Sequence, residues 1–495
     1  MSNDMAQKEF VFAIPSWNRY IQNKKIIVCL RKNEAQKVEQ SIEKEIHGNM
    51  PRYLETLMDL VRIPSISFDN FDQKFVTKSA EAVKALFEKA GYTNIQFLTP
   101  KSGRHTVYAE SLTSPDRPTV LLYAHHDVQP PMREALWNSK PFEPVLKGDR
   151  LYGRGTADDK AGIVTHLAAA EQVRKLLGDK GPNLKFIIEG EEESGSEGFA
   201  DLLKKYADLL KCDAVVVADL GNFAKGTPSI TTTLRGMSAI NVELRATKAP
   251  LHSGSWSGPI PDPGQELCKI IAAMTKADGS ITIPGFCDGL VPPTPEELES
   301  YKSLGMTEKI FRKDGGVLDS VKLKVSEEEI LLSLWRRPSI VVTTMQVGSR
   351  TNAGNVLQDT AYARIGIRLA PGMDAVRCTR LLVDFIKNNV PDGLECEIKE
   401  EDGANPFVTD TSHPFFKEMA SAMTRAYKSE TKFIGCGASI PGAELFRKTF
   451  GDIPILLTGL EDPECAAHGE NESLYVPDFE HGIIAETLFF VGISK

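Results

Sequence analysis

Five separated stretches carry the residue types that a two-metal hydrolase needs: Ala124-His125-His126-Asp127, Gly153-Arg154-Gly155-Thr156-Ala157-Asp158-Asp159-Lys160, Glu191-Glu192-Glu193-Ser194-Gly195, Ala218-Asp219 and Ala467-His468. Imidazole and carboxylate donors without thiolate suit Zn²⁺, with Mn²⁺ or Co²⁺ as alternatives. Two such ions roughly 3.5 to 4 Å apart lower the pKa of a bridging water towards about 7, polarise a scissile carbonyl and hold the developing oxyanion. Taken singly, the stretches read more plainly: His-His-Asp as a polar loop, Glu191 to Glu197 as a solvated acidic cap on a helix, His468 as a surface histidine. Gly153-x-Gly155 lacks a third glycine and any Gly-Lys-Ser/Thr, which disfavours nucleotide binding. The chain has no Gly-x-Ser-x-Gly elbow, which disfavours a serine hydrolase.

Three of these stretches follow short apolar runs, Val120-Leu121-Leu122-Tyr123, Phe186-Ile187-Ile188 and Ala214-Val215-Val216-Val217, which read as buried parallel strands. Their polar residues then lie at the carboxyl ends of neighbouring strands, where open α/β sheets place ligands. Met50-Pro51 opens an expected helix with Leu54, Leu57, Met58 and Val61 on one face, stopped by Pro64; a second runs from about Thr77 to Ala90. Strands and helices alternate up to about residue 228, the pattern of a covered parallel sheet. Near residue 235 the period changes. Ile240, Val242 and Leu244 alternate with Asn241, Glu243 and Arg245, as do Ala363, Ile365, Ile367 and Leu369 with their neighbours, which describes strands with one wet face. Helices around Leu267–Met274 and Val376–Phe385, a strand at Leu394–Ile398 and a polar, Pro-rich stretch over 284–340 complete a small α+β insertion. Helix Pro414–Tyr427, strand Ile455–Leu457 and a terminal helix after Pro477-Asp478 return to the first style. The expected division is an N-terminal extension (1–48), a catalytic domain (49–230 and 401–495) and an inserted domain (231–400).

A chain of 495 residues exceeds one ordinary core, and 41% hydrophobic with 25% charged residues is a globular composition. A net charge of -9 argues against nucleic acid as a partner. No apolar run reaches the roughly 18 residues of a membrane span. The N-terminal residues resemble neither a secretory signal nor a transit peptide, and the eight scattered cysteines read as reduced thiols, so the expected compartment is the cytoplasm.

The chain resembles the zinc metallopeptidase family that includes glutamate carboxypeptidase, aminoacylase and carnosine dipeptidase, and within it the cytosolic non-specific dipeptidases. The resemblance runs from about Leu54 to the C-terminus. It rests on His-His-Asp-Val-Gln-Pro at 125–130, Tyr-Gly-Arg-Gly-Thr-Ala-Asp-Asp-Lys at 152–160, Glu-Glu-Ser-Gly-Ser-Glu-Gly at 192–198, Leu-His-Ser-Gly at 251–254 and Ser-Ile-Pro at 439–441. It implies an α/β fold: a mainly parallel-sheet, dinuclear-metal catalytic domain with an inserted α+β, ferredoxin-like lid and dimerisation domain. It further implies two Zn²⁺, one on His125 and Asp219, the other on Glu193 and His468, with Asp158 shared and the peptide bond after Asp158 cis.

By the same resemblance Asp127 orients His125, His126 is a spacer, and Glu192 is the general base on a metal-bridging water. His252 reaches a partner subunit's site in a homodimer, and Asn355, Arg368 and Ser439 contact substrate, Arg368 through its carboxylate. Read without the family, Arg368 is an exposed strand arginine. Gly435-Cys436-Gly437-Ala438 departs from the Arg-Glu-Gly-Gly that usually precedes Ser-Ile-Pro, which bears on substrate preference. The implied activity is hydrolysis of dipeptides or short peptides with a free C-terminal carboxylate. Asp219, where carboxypeptidase relatives more often have glutamate, leans towards a dipeptidase or aminopeptidase. The alternatives are an amidohydrolase that removes an acyl or carbamoyl group from amino acids, and a silent peptide- or metal-binding protein, against which the intact Glu192 argues.

Overall fold

The computed structural model describes residues 15–351 and 353–494. Among them a nine-stranded sheet forms the centre of the larger layer structure. Its middle is parallel: Asn183–Glu189, Thr119–His125, Ala214–Val217 and Ile455–Leu457 lie side by side in that order. The flanks are mixed, with Thr93–Leu98 and Thr106–Ser111 on one side, and Ser229–Leu234, Phe407–Val408 and Lys432–Cys436 on the other. The central strands are continuous apolar runs because both faces are covered. Leu121, Tyr123, Ile187, Val215 and Leu457 pack on one side against Phe199, Leu203 and Phe446.

The chain leaves this sheet after Leu234 and enters a second one at Gly236. Four antiparallel strands, Ser339–Gln346, Thr360–Leu369, Gly236–Arg245 and Glu395–Glu400, stand in that order. Ile240, Val242, Leu244, Ile365 and Ile367 point to one face, where helices Pro263–Ala273 and Ala375–Asn389 bring Leu267, Ile270, Leu382 and Ile386. The alternation read from the sequence is this half-buried pleat.

One expectation needs correction. Pro51 does not open a helix; one helix runs Pro15–Val61 with Pro51 inside it. A proline costs an interior helix one backbone hydrogen bond, a loss that 47 helical residues override. Ile42, Ile46 and Met50 are buried, and the described part of the expected extension is helical; residues 1–14 lie outside the described residues. Further along, the polar, Pro-rich stretch is partly helical. It forms helices Pro295–Ser303, Glu308–Gly315 and Ile330–Arg336, the first closed by a capping box in which Thr294 and Glu297 bond each other's backbone. Among the described residues no helix is long and apolar enough to cross a membrane.

Candidate metal centre

Each strand end delivers its polar residue to one place. His125 ends the central strand Thr119–His125, Asp219 follows Ala214–Val217 by two residues, and Glu192 and Glu193 occupy the turn after Asn183–Glu189. Asp158 precedes helix Lys160–Leu177, and the Asp158–Asp159 peptide is cis, as the resemblance implied. His468 comes from the loop after Ile455–Leu457 and holds a left-handed φ of 61°, a conformation seldom adopted by residues other than glycine.

The result is two donor sets that share one carboxylate. His125, Asp158 and Asp219 form the first, and Asp158, Glu193 and His468 the second, with the donor atoms of each set within 4.8 Å of one another. Asp158 divides its oxygens between them: Oδ1 lies 3.0 Å from His125 Nε2, Oδ2 3.0 Å from His468 Nε2. Asp219 Oδ1 stands 3.4 Å from His125 Nε2, and Glu193 Oε2 3.3 Å from His468 Nε2. His125 is fully buried, Asp158 and Glu193 nearly so, and His468 exposed.

The electrostatics fit divalent cations. Burial, and then the Asp158 charge, hold Glu193 well above the usual carboxylate range; burial and the Asp219 charge do the same to Glu192. Asp219 is raised by burial despite His125 beside it. Such a concentration of buried carboxylates persists where positive charge balances it. Nitrogen and oxygen donors with no thiolate suit Zn²⁺ or its neighbours.

Around the donors a shell of hydrogen bonds fixes orientation. His125 Nδ1 lies 3.0 Å from the backbone oxygen of Asp127 and 3.5 Å from its carboxylate. The Asp127 carboxylate accepts the backbone N–H groups of Glu192 and Glu193 at 3.2 and 3.0 Å. Gln129 donates to Glu193 through its backbone N at 3.1 Å and its side-chain amide at 2.7 Å. His126 turns away: its Nε2 meets the His105 carbonyl at 2.8 Å, and burial pushes its pKa down to about 4, so it stays neutral. Lys160 is wholly buried, donates to the carbonyls of Leu60 and Ile63, and is pushed down to about 7 by burial.

The remaining sequence-derived candidates fall into two groups. Arg368 and Ser439 meet, Nη1 to Oγ, at 3.4 Å. His252 and Asn355, both exposed, lie together at a two-stranded ribbon, Leu251–His252 with Val356–Leu357, where the Asn355 carbonyl accepts the Ser253 N–H at 2.9 Å. Among the described residues neither bonds to the clustered donors. Sequence reading missed Glu472, Glu461 and Arg235. Glu461 pairs through its backbone with Gly221, two residues after Asp219, and burial, then the Asp158 charge, raise its carboxyl well above the usual range. No local pattern distinguishes these three; each gains meaning only from partners distant in sequence.

Residues 121–489 match peptidase family M20/M25/M40. The chain is 32% identical over 384 residues to the cysteinylglycine-S-conjugate dipeptidase of Corynebacterium striatum, covering 77% of this chain and 82% of that one. It is 29% identical over 400 residues to the Beta-Ala-His dipeptidase of Homo sapiens, covering 79% and 77%. The solved structure of the di-peptidase Dug1p from Saccharomyces cerevisiae superposes with a TM-score of 0.80 at 25% identity, covering 92% of this chain and 98% of that one. With the matched region spanning the whole metal centre and a dipeptidase relative above 30% identity, this chain belongs to peptidase family M20/M25/M40.

Proposed function

We propose that this chain is a dinuclear zinc metallopeptidase that hydrolyses dipeptides or short peptides with a free C-terminal carboxylate. One observation carries the reading: the two oxygens of Asp158 face two separate donor sets, with Glu192 in the turn beside them. In this reading His125 and Asp219 hold one ion, Glu193 and His468 the other, and Asp158 both. Bound there, the ions supply a Lewis acid for the scissile carbonyl and lower the pKa of the attacking water.

The protein's own residues do the rest. Glu192, whose backbone N–H is held by Asp127, takes the water proton and delivers it to the leaving amine. Asp127 keeps His125 oriented. Arg368 and Ser439, already in contact, receive the terminal carboxylate of the substrate. Asn355 contacts the substrate, and His252 reaches the site of a second subunit, which requires a homodimer joined through residues 231–400. Support comes from the exposure of His252 and from strand Ser339–Gln346, an uncovered sheet edge on which Val341 and Met345 are exposed. Residues 49–230 and 401–495 form the catalytic domain, and 1–48 an extension to it. The free thiols of Cys212, Cys268, Cys287, Cys378, Cys396, Cys436 and Cys465 support a cytoplasmic location.

The test is elemental analysis of the purified protein combined with turnover of a dipeptide panel and of N-acyl amino acids. Two equivalents of zinc and preferential cleavage of dipeptides are expected. Preferential release of acyl groups would replace the reading with an amidohydrolase.

A further inference from the structure

Arg235 stands at the crossing between the two sheets, between the strand Ser229–Leu234 and the strand Gly236–Arg245. Its guanidinium meets only neutral oxygens: Nε donates to the Gly437 carbonyl at 3.1 Å, and Nη1 to the Arg337 carbonyl and Ser339 Oγ at 3.4 Å each. Ser339 is the cross-strand partner of Arg368. Arg368 in turn reaches Ser439 Oγ, and that same hydroxyl donates to the backbone oxygen of Arg235. Two guanidiniums therefore flank Ser339 and share the loop Gly437–Ser439. Both are half-buried, and among the described residues neither forms an ion pair.

A partly desolvated pair of like charges without a counterion is costly unless an anion completes it. Burial, and then repulsion from Arg368, depress Arg235 to about 10. The loop that touches both offers no carboxylate. Cys436, where the resemblance leads one to expect glutamate, presents a thiol.

We propose that Arg235 and Arg368 together form a pocket for two carboxylates, so that the preferred substrates are dipeptides with aspartate or glutamate at the C-terminal position. This rests on the reading of the chain as a dipeptidase. Arg368 takes the α-carboxylate and Arg235 the side-chain carboxylate. A single α-carboxylate balances one guanidinium, and an acidic C-terminal residue balances both. The planar guanidinium fork suits carboxylate geometry, and charge-assisted bonds of this type are the strong ones.

The experiment compares Ala-Asp with Ala-Asn and Ala-Glu with Ala-Gln on the full-length, zinc-loaded enzyme, with Ala-Ala as reference. Each acid should exceed its amide in kcat/KM by about tenfold or more. Arg235→Gln should collapse that ratio towards one whatever its effect on the absolute rate, and Arg235→Lys should keep part of it. Calorimetric binding of free aspartate against asparagine to Glu192→Gln protein reads the same pocket without turnover, and aspartate should bind about tenfold tighter. Turnover of Ala-Ala with equal rates for acid and amide would overturn the pocket, leaving both guanidiniums on one α-carboxylate and the dipeptidase reading intact. A preference that survives Arg235→Gln would also overturn it. If no dipeptide is cleaved the dipeptidase reading fails, and equal binding of aspartate and asparagine would then refute the pocket on its own.

Discussion

Arg154 and Glu472, 318 residues apart in sequence, form a fully buried ion pair, Nη1 to Oε2 at 2.7 Å. The same carboxylate accepts the backbone N–H groups of Gly155, Ala157 and Asp158 at 2.9, 2.9 and 3.1 Å. Glu472 thereby fixes the loop that presents the shared carboxylate. Arg154 also donates to the carbonyls of Pro130 and Gly469, tying the His125 and His468 loops to it.

Removing one partner leaves the other charged and unpaired in the interior. Glu472→Gln should therefore cost about 3 to 5 kcal/mol in stability, read by denaturant unfolding of the metal-free protein. It should also weaken metal binding, because the Asp158 loop loses its anchor. Arg154→Met combined with Glu472→Gln should recover part of the lost stability, since no buried charge is then left alone. A single variant as stable as wild type would contradict the anchoring role.

The shared carboxylate makes a prediction about stoichiometry. Asp158→Asn should abolish tight binding of both ions, whereas His468→Ala should spare the set formed by His125, Asp158 and Asp219. Elemental analysis after dialysis checks this, with close to zero and close to one equivalent as the respective outcomes. Equal losses in the two variants would mean that the sets do not divide as Asp158 suggests.

Glu192 is assigned to proton transfer rather than to metal binding. Glu192→Gln should keep both ions and lose roughly 10² to 10⁴ in rate. Loss of metal from that variant, or full activity, would move the base elsewhere.

Much of this centre is legible in the sequence because its parts end apolar runs. The short apolar runs before His125 and Asp219 read as buried strands, and a parallel sheet follows from their alternation with helices. The second sheet is equally legible, since Ile240, Val242 and Leu244 alternate over a stretch too regular for a loop. What escaped has a physical reason in each case. Over 284–340, proline and charge obscured helices whose signal is the cap: Thr294-Pro295-Glu296-Glu297 has the spacing of a capping box, with proline at the first helical position. Pro51 misled in the opposite direction, because its preference for helix starts is statistical and the surrounding helix continues through it. Glu472, Glu461 and Arg235 left no trace at all. A buried charge is defined by its partners, and theirs lie far away in the chain.

The proposed homodimer makes a separable prediction. If His252 acts in a second subunit, His252→Ala and Glu192→Gln proteins, each inactive, should regain part of the activity when mixed. A mixed dimer holds one site with both intact residues. Subunit exchange must be demonstrated independently, by light scattering with a tagged copy or by native mass measurement. Exchange without recovery would place His252 in its own subunit's chemistry or outside catalysis.

The assignment of Arg368 predicts how the enzyme limits itself to short substrates. A guanidinium placed one residue beyond the scissile bond pairs with a terminal carboxylate, and a longer chain offers a peptide group there instead. Arg368 lies on the second sheet, in strand Thr360–Leu369, while Ser439 belongs to the larger layer structure, and the two meet at 3.4 Å. Carboxylate binding at this contact would therefore couple the position of one sheet to the metal centre of the other and allow closure to exclude water as substrate arrives. Arg368→Ala should lower kcat/KM for dipeptides steeply, and Arg368→Lys should recover only part, because a point charge cannot reproduce two parallel hydrogen bonds. The decisive comparison is a dipeptide against its C-terminal amide. Wild type should strongly prefer the acid, and the alanine variant should lose most of that preference even where its absolute rate is low. Equal turnover of acid and amide by wild type would remove Arg368 from carboxylate recognition and, with it, this account of how the enzyme selects short peptides.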